Sequence, residues 1–253
     1  MSAGPRVRRG ASILPSLFTT GNLFLGYWAM IGALHGRLEA AAPLIGWAIL
    51  LDALDGRIAR MTGTTSEFGG ELDSLADVIS FGVAPALLAY QWGLGELGRV
   101  GWVATFLFVI CGTLRLARFN VQRHVVDSRY FVGLPIPAGA AQVASVVYFF
   151  PRGAGSVSEA ALAAAGIGTL ALLMVSTLRY HSFKGIDLRR RRSYITLLGL
   201  VVPIVLVALD PPAVLLAVTG AYTLSGPLAY LYGLVRRRRE AAEAPAPSRS
   251  ESS

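Results

Sequence analysis

The feature that most limits the fold is a series of apolar runs, each close to the ~20 residues a helix needs to cross a bilayer. Polar or Pro/Gly breaks divide them into eight segments, roughly 17–35, 39–61, 72–92, 98–119, 135–151, 158–180, 193–209 and 212–234. The fifth and seventh are short, and the last two are parted by Asp210-Pro211-Pro212, where paired prolines end one helix and start the next. The expected fold is therefore all-α, a polytopic membrane bundle of about eight transmembrane helices. Residues 1–235 form one integral membrane domain, and 236–253 a basic, then disordered, cytoplasmic tail. Composition supports this: 54% of the residues are hydrophobic and 15% charged, and no polar stretch is long enough for a second, soluble domain. One cysteine, Cys111, excludes an intramolecular disulfide and a cysteine zinc cluster, and in its apolar run it reads as a small buried side chain.

Charge tests the segmentation independently. With the N-terminus cytoplasmic, eight spans leave only Arg37, Arg99 and Arg152, of the 23 Lys and Arg, on the outer side. Positive charge is retained in the cytoplasm during insertion, so both termini are expected there. The net charge of +8 has this topological cause, with attraction to anionic membrane lipid as a compatible addition. No basic motif with interleaved aromatics suggests nucleic acid as a partner. The basic "MSAGPRVRRG" is followed by no small-residue cleavage site, so no removable signal peptide is expected.

Against this apolar background, "LDALDGRIARMTGTTSEFGGELDSLADVISFG" (51–82) holds six acidic residues, four of them Asp. Asp52 and Asp55 are three apart near the cytoplasmic end of the second segment, about 60° apart on one helix face. Asp73 and Asp77 are four apart at the start of the third, about 40° apart. Residues 61–70 read as a turn, which makes the two helices antiparallel neighbours and brings four carboxylates to one depth near the membrane surface. Like charges so close take up protons or bind cations. Two divalent ions balance four carboxylates, and all-oxygen ligation selects Mg²⁺ or Mn²⁺. Metals paired about 3.5–4 Å apart are a recurring device for phosphoryl transfer. Helix capping or pairing with Arg57 and Arg60 accounts for single aspartates but not for four in this register. Glu67 and Glu71 read as solvated surface. Gly56 and Ala59 leave a gap for a flat group to approach the helix backbone, although a membrane glycine also serves helix packing. Arg60, one turn on, suits phosphate oxygens.

Written as a pattern, the stretch is Asp52-x2-Asp55-Gly56-x2-Ala59-Arg60-x8-Gly69-x3-Asp73-x3-Asp77. It resembles, at every fixed position, the signature of the CDP-alcohol phosphotransferase family. That resemblance implies a membrane enzyme that cleaves the pyrophosphate of a CDP-linked donor and releases CMP. It also implies that Asp52, Asp55 and Asp73 ligate metal, and that Asp77 deprotonates the acceptor hydroxyl while lying beside the second of two metals. Gly56, Ala59, Arg60 and Ser66 are then contacts of the CDP moiety. "LPSLFTTGNLFLG", "LDSLADVISFGVAPA", "LRLARFN" and "FVGLPIPA" are similar to the phosphatidylserine synthase branch, from about Leu14 to Ala138 and beyond that in hydropathy alone. The branch implies CDP-diacylglycerol as donor, L-serine as acceptor and a homodimer in the plasma membrane, with the site at the cytoplasmic face. Thr19 and Asn22 match it as nucleotide contacts, while Ser16 stands where the branch has Asn.

The acceptor's carboxylate needs a cation. Arg115 and Arg118, three apart near the cytoplasmic end of the fourth segment and close to Asn120, are the candidates for it or for the lipid phosphate. Topological anchoring explains them equally well. Arg118 is preferred because it lies nearer the cytoplasmic loop. His35, His124 and His181 fall in loops or helix ends and read as surface residues. Glycerol 3-phosphate, inositol phosphate and choline are competing acceptors. An ion-coupled transporter is the alternative from another class, disfavoured because the acids lie at one membrane face and no inverted repeat is apparent.

Overall fold

The structure, a computed structural model, describes residues 13–62, 66–122, 130–181 and 205–243. Helices α1 (Ile13–Leu34) and α2 (Leu38–Thr62) form a tight hairpin. Its turn depends on Gly36 at φ +71°, a left-handed conformation that costs glycine little. Ala29, Ala33, Ala41, Ala42, Ile45 and Ala48 are buried between packed helices. A Cβ on Gly32 would stand only 3.1 Å from that of Ala41. Small residues allow this approach, and in lipid such packing replaces the hydrophobic drive that joins helices in water.

The third span is a composite rod: α3 (Glu67–Asp77), a π-helical turn (Val78–Val83) and α4 (Ala84–Trp92). It starts earlier than the expected 72. Ser66 caps α3, its Oγ accepting from the Gly69 N–H at 3.0 Å, and Glu67 sits favourably in the first turn. Gly69 and Gly70 are thereby helical, and α2 persists to Thr62, so 61–70 is not a turn throughout. In the π turn the Ala84 N–H reaches the Ile79 carbonyl, five residues back. Pro85 follows, with no N–H to donate and a ring that crowds the carbonyl four residues earlier, so a widened turn precedes it. Helix α1 packs along both α2 and this rod. Gly26 meets Ser80 so closely that a Cβ would overlap the Ser80 side chain and backbone. Ser80 Oγ also donates to the Asn22 carbonyl at 3.1 Å.

Helices α5 (Arg99–Gln122), α6 (Ile136–Phe149), α7 (Val157–Val175) and α8 (Pro211–Glu243) complete the bundle, with a helical stretch at 205–209 before α8. The all-α expectation holds apart from one short antiparallel ribbon of β1 (Tyr130–Val132) and β2 (Arg179–His181). The sixth expected segment accordingly stops at Val175, and Ser176 turns the chain into extended backbone. Helix α8 runs past 235 through Arg236 to Arg239 and on to Glu243, in keeping with the helix preference of Arg, Glu and Ala. Residues 193–204 of the seventh segment, the first twelve residues, His124 and the last ten lie outside the described residues.

Five described spans are long and apolar enough to cross a membrane: Leu17–Leu34, Glu67–Trp92, Arg99–Val121, Val157–Val175 and Pro211–Gly233. Helix α6, shorter at 14 residues, is also apolar. The core holds Phe81, Leu88, Phe108, Leu134, Ile136 and Met174, with Cys111 buried as expected. Trp47, Trp102, Phe106, Leu162, Leu172, Val218 and Leu231 are instead exposed. So much outward apolar surface suits a bilayer, which leaves the backbone to be satisfied internally by helices.

Candidate active site

Three elements bring the acids together. Helix α2 carries Asp52 and Asp55 one turn apart, α3 carries Asp73 and Asp77, and α1 lies against both. One ligand oxygen from each of Asp52, Asp55 and Asp73 falls within 4.8 Å of the others. Asp77, at the end of α3 and buried, lies at hydrogen-bonding range of Asp52. The convergence expected from the three- and four-residue spacings is therefore present, with Asp52, Asp55 and Asp73 as the compact trio and Asp77 against its side.

The chemistry of this donor set fits a divalent cation. Ionised carboxylates only accept hydrogen bonds. Asp77 Oδ1 is buried without a partner, and burying an uncompensated polar oxygen is costly. A hard cation bound by oxygen ligands relieves both the mutual repulsion and the unmet acceptor. Asp55 has a protein partner as well, because Thr19 Oγ1 donates to its Oδ2 at 3.0 Å. Thr19 is thus tied to a carboxylate of the cluster, an orientation role that its expected place at the nucleotide did not include. Asn22, one turn further along α1, is fully buried, and its amide oxygen and nitrogen both lack partners. Such an amide is poised for a polar ligand group.

The other expected contacts divide. Gly56 faces open space, and a Cβ there would meet no atom within 4 Å, so the gap inferred beside α2 exists. Ser66 has its hydroxyl oxygen engaged in capping α3, two turns before Asp73. Ala59 and Arg60 belong to α2, but their side chains lie outside the described residues.

The two arginines of α5 differ in their surroundings. Arg115 is buried, with its charge within electrostatic reach of Tyr222 and Asp77, whereas Arg118 is exposed. Three residues along a helix leave two side chains about 60° apart, so the edge of the buried face falls between these arginines. The helix itself is registered by Asn120, whose Nδ2 donates to Ser74 Oγ at 2.8 Å, while Ser74 Oγ donates to the Gly70 carbonyl at 2.9 Å. Asn120 and Ser74 thus fasten α5 beside Asp73. The position of Asn120 in "LRLARFN" drew attention to it, but its partner was not legible. Tyr222 of α8 carried no signal, because nothing in an evenly apolar segment marks the residue that turns inward.

Residues 12–178, from α1 to the residue before β2, match the family model described as CDP-alcohol phosphatidyltransferase. The chain belongs to that family. Among similar proteins is a CDP-diacylglycerol--serine O-phosphatidyltransferase of Helicobacter pylori, 39% identical over 229 residues, which cover 88% of this chain and 93% of that protein. One of the same name from Bacillus subtilis is 36% identical over 172 residues, 68% of this chain and 91% of that protein. An archaetidylserine synthase of Methanothermobacter thermautotrophicus is 38% identical over 174 residues, 68% of this chain and 71% of that protein. The likeness thus extends well beyond Ala138, where sequence motifs alone left only hydropathy. All of the aspartate signature falls within the family match.

Proposed function

We propose that this chain transfers the phosphatidyl group of CDP-diacylglycerol to L-serine, giving phosphatidylserine and CMP. The observation that carries the reading is the trio of Asp52, Asp55 and Asp73 within 4.8 Å, with Asp77 against it. The names of the relatives favour serine among the possible acceptors.

In this reading Asp52, Asp55, Asp73 and Asp77 hold two Mg²⁺ or Mn²⁺ ions. Bound there, the metals supply positive charge to the pyrophosphate oxygens and the departing phosphate. The open face at Gly56 admits the cytidine end of the donor against the α2 backbone, and the Asn22 amide supplies a donor and an acceptor to it. Ala59, Arg60, Ser66 and Thr19 are the further residues that the family resemblance assigns to the CDP moiety in this reading. Asp77 accepts the serine hydroxyl proton, that oxygen bonds to the lipid-bearing phosphorus, and the bond to the CMP oxygen breaks. Arg115, buried on α5, holds the acceptor carboxylate, and exposed Arg118 serves the entrance. The lipid tails remain in the bilayer, so the site opens sideways to lipid and downward to water. The distribution of Lys and Arg favours a plasma-membrane protein with this site at the cytoplasmic face, and the family resemblance favours a homodimer.

The deciding experiment supplies purified protein with CDP-diacylglycerol and a panel of radiolabelled alcohols, with and without chelator. Serine-dependent CMP release is expected, lost in EDTA and restored by Mg²⁺ or Mn²⁺. Full turnover in excess EDTA with no recoverable metal would end the metal account. Preference for glycerol 3-phosphate, inositol phosphate or choline would end the serine assignment. Substrate movement across vesicles without CMP release would favour a transporter.

A further inference from the structure

We infer that the hairpin of α1 and α2 binds an anionic phospholipid by its phosphate, at the end of the bundle remote from the aspartates. This site lies apart from the transfer chemistry and stands whichever alcohol is the acceptor.

A cleft of about 400 Å³ opens along the hairpin beside its turn, within the size range of small-ligand sites. Its polar end is made by His35 and Arg37, both exposed. Its other end is walled by Trp28 and Ile31 of α1 and by Leu44 of α2. Trp28 and Leu44 each lie about 10 Å along their helices from the polar turn, at 1.5 Å per residue. The cleft thus has the polarity of a lipid, with a cation at one end and an apolar wall leading away from it. Trp28 also packs against Phe24, with ring centroids 5.9 Å apart, which prolongs that wall along α1. Both rings are exposed, as interfacial aromatics of membrane proteins are.

Depth in the membrane favours a lipid over a soluble anion. The apolar span Leu17–Leu34 ends at this turn, and its 18 residues cover about 27 Å, close to the thickness of a bilayer's hydrocarbon core. Asp52 lies about 21 Å along α2 from its first residue, Leu38. The turn therefore stands among the headgroups of the leaflet opposite the one that the acids face. Charge narrows the choice of lipid. Arg37 presents a planar fork of N–H donors that matches phosphate oxygens. Glu39, in the first turn of α2, does not line the cleft, so the charge offered to a ligand is positive. His35 Nδ1 donates to the Ile31 carbonyl at 2.8 Å, which leaves Nε2 of the neutral ring to accept from a headgroup hydroxyl. Phosphatidylglycerol carries both the phosphate and the hydroxyls. Snorkelling alone would put an arginine at this depth, but it would not require an apolar cleft beneath it.

The full chain in a neutral detergent is mixed with phosphatidylglycerol, and the lipid retained on the protein is counted by native mass spectrometry. Diacylglycerol with the same chains, which lacks the phosphate, should be retained at least tenfold less. Arg37→Ala should raise the half-saturating mole fraction of phosphatidylglycerol about tenfold, in line with one lost charge-assisted hydrogen bond. Arg37→Lys, which keeps the charge, should recover most of the binding. Ala40→Leu narrows the cleft from α2 without touching its charge and should also weaken retention. The Tm of each variant without added lipid should match that of the wild type. Equal retention of phosphatidylglycerol by wild type and Arg37→Ala overturns the inference. Displacement of the lipid by inorganic phosphate would make this a free-anion site and overturn the lipid assignment. A change from dimer to monomer in Arg37→Ala or Ala40→Leu, read from the same spectra, would make the cleft an interface between copies and overturn it as well.

Discussion

The third span and the last are both apolar enough to cross a bilayer, yet half of Glu67–Trp92 is buried and only 11% of Pro211–Gly233. The third span is wrapped by α1, α5 and α6, and its N-terminal end presents Asp73 and Asp77 to the interior. The last span turns one face inward and leaves Val218, Leu224, Leu228 and Leu231 exposed. Ionisable groups inside a membrane are tolerated where protein, not lipid, surrounds them. The acids of the third span accordingly sit where protein encloses them, and the last span packs on the core through Thr219, Tyr222 and Thr223.

The contrast can be broken most directly at the acids. Asp52→Asn and Asp73→Asn should each reduce CMP release by about a thousandfold or more, the scale of loss when one member of a catalytic unit is removed. Membrane insertion and yield should be unaffected. Thr219→Val on the last span should retain activity within about twofold, because its hydrogen bond to Ser145 is an uncharged, partly exposed one. Equal losses at Asp73 and Thr219 would mean that both spans carry chemistry.

Asp77→Asn sharpens the division within the enclosed span. Losing a general base costs about 10²–10⁴ in turnover, yet this variant should bind CDP-diacylglycerol more tightly than Asp52→Asn, since the trio of Asp52, Asp55 and Asp73 remains. Equal loss of donor binding in the two variants would make Asp77 a ligand alone. At the junction between the two regions, Arg115→Lys should raise the serine KM roughly tenfold to a hundredfold, the cost of a charge-assisted hydrogen bond. Arg118→Lys, at an exposed position, should change it little. The opposite ranking would restore the preference for Arg118 that its place near the loop suggests.

The smallest effects concern stability and packing. Gly26→Ala forces a methyl into Ser80 where α1 crosses the π turn, and overpacking of this kind costs about 1–3 kcal/mol, visible as a lower Tm in detergent. Gly56→Ala meets open space, so its Tm should hold or rise slightly, because alanine is the better helix former. Donor affinity should nonetheless fall, since the added methyl occupies the approach to the α2 backbone. Unchanged donor affinity in Gly56→Ala would remove this face from the nucleotide site.

The sequence by itself determined the apolar, all-α character of the chain and the acid register, while five described helices and not eight are long and apolar enough to span a bilayer. Both depend on short-range rules: about 20 residues to cross a bilayer, and 3.6 residues per turn to align Asp52 with Asp55 and Asp73 with Asp77. It also held the gap at Gly56, because a missing side chain is legible in any context. Tertiary structure decided which way each helix is rotated, and hence that Arg115 and not Arg118 is buried. It joined Thr19 to Asp55 across 36 residues, Asn120 to Ser74 across 46 and Tyr180 to the Thr223 carbonyl across 43. The reason lies in the solvent. A helix in water shows its inward face by an apolar stripe, but a membrane helix is apolar on every side. Its rotation follows from small residues, hydrogen bonds and shape matched against neighbours far away in the chain.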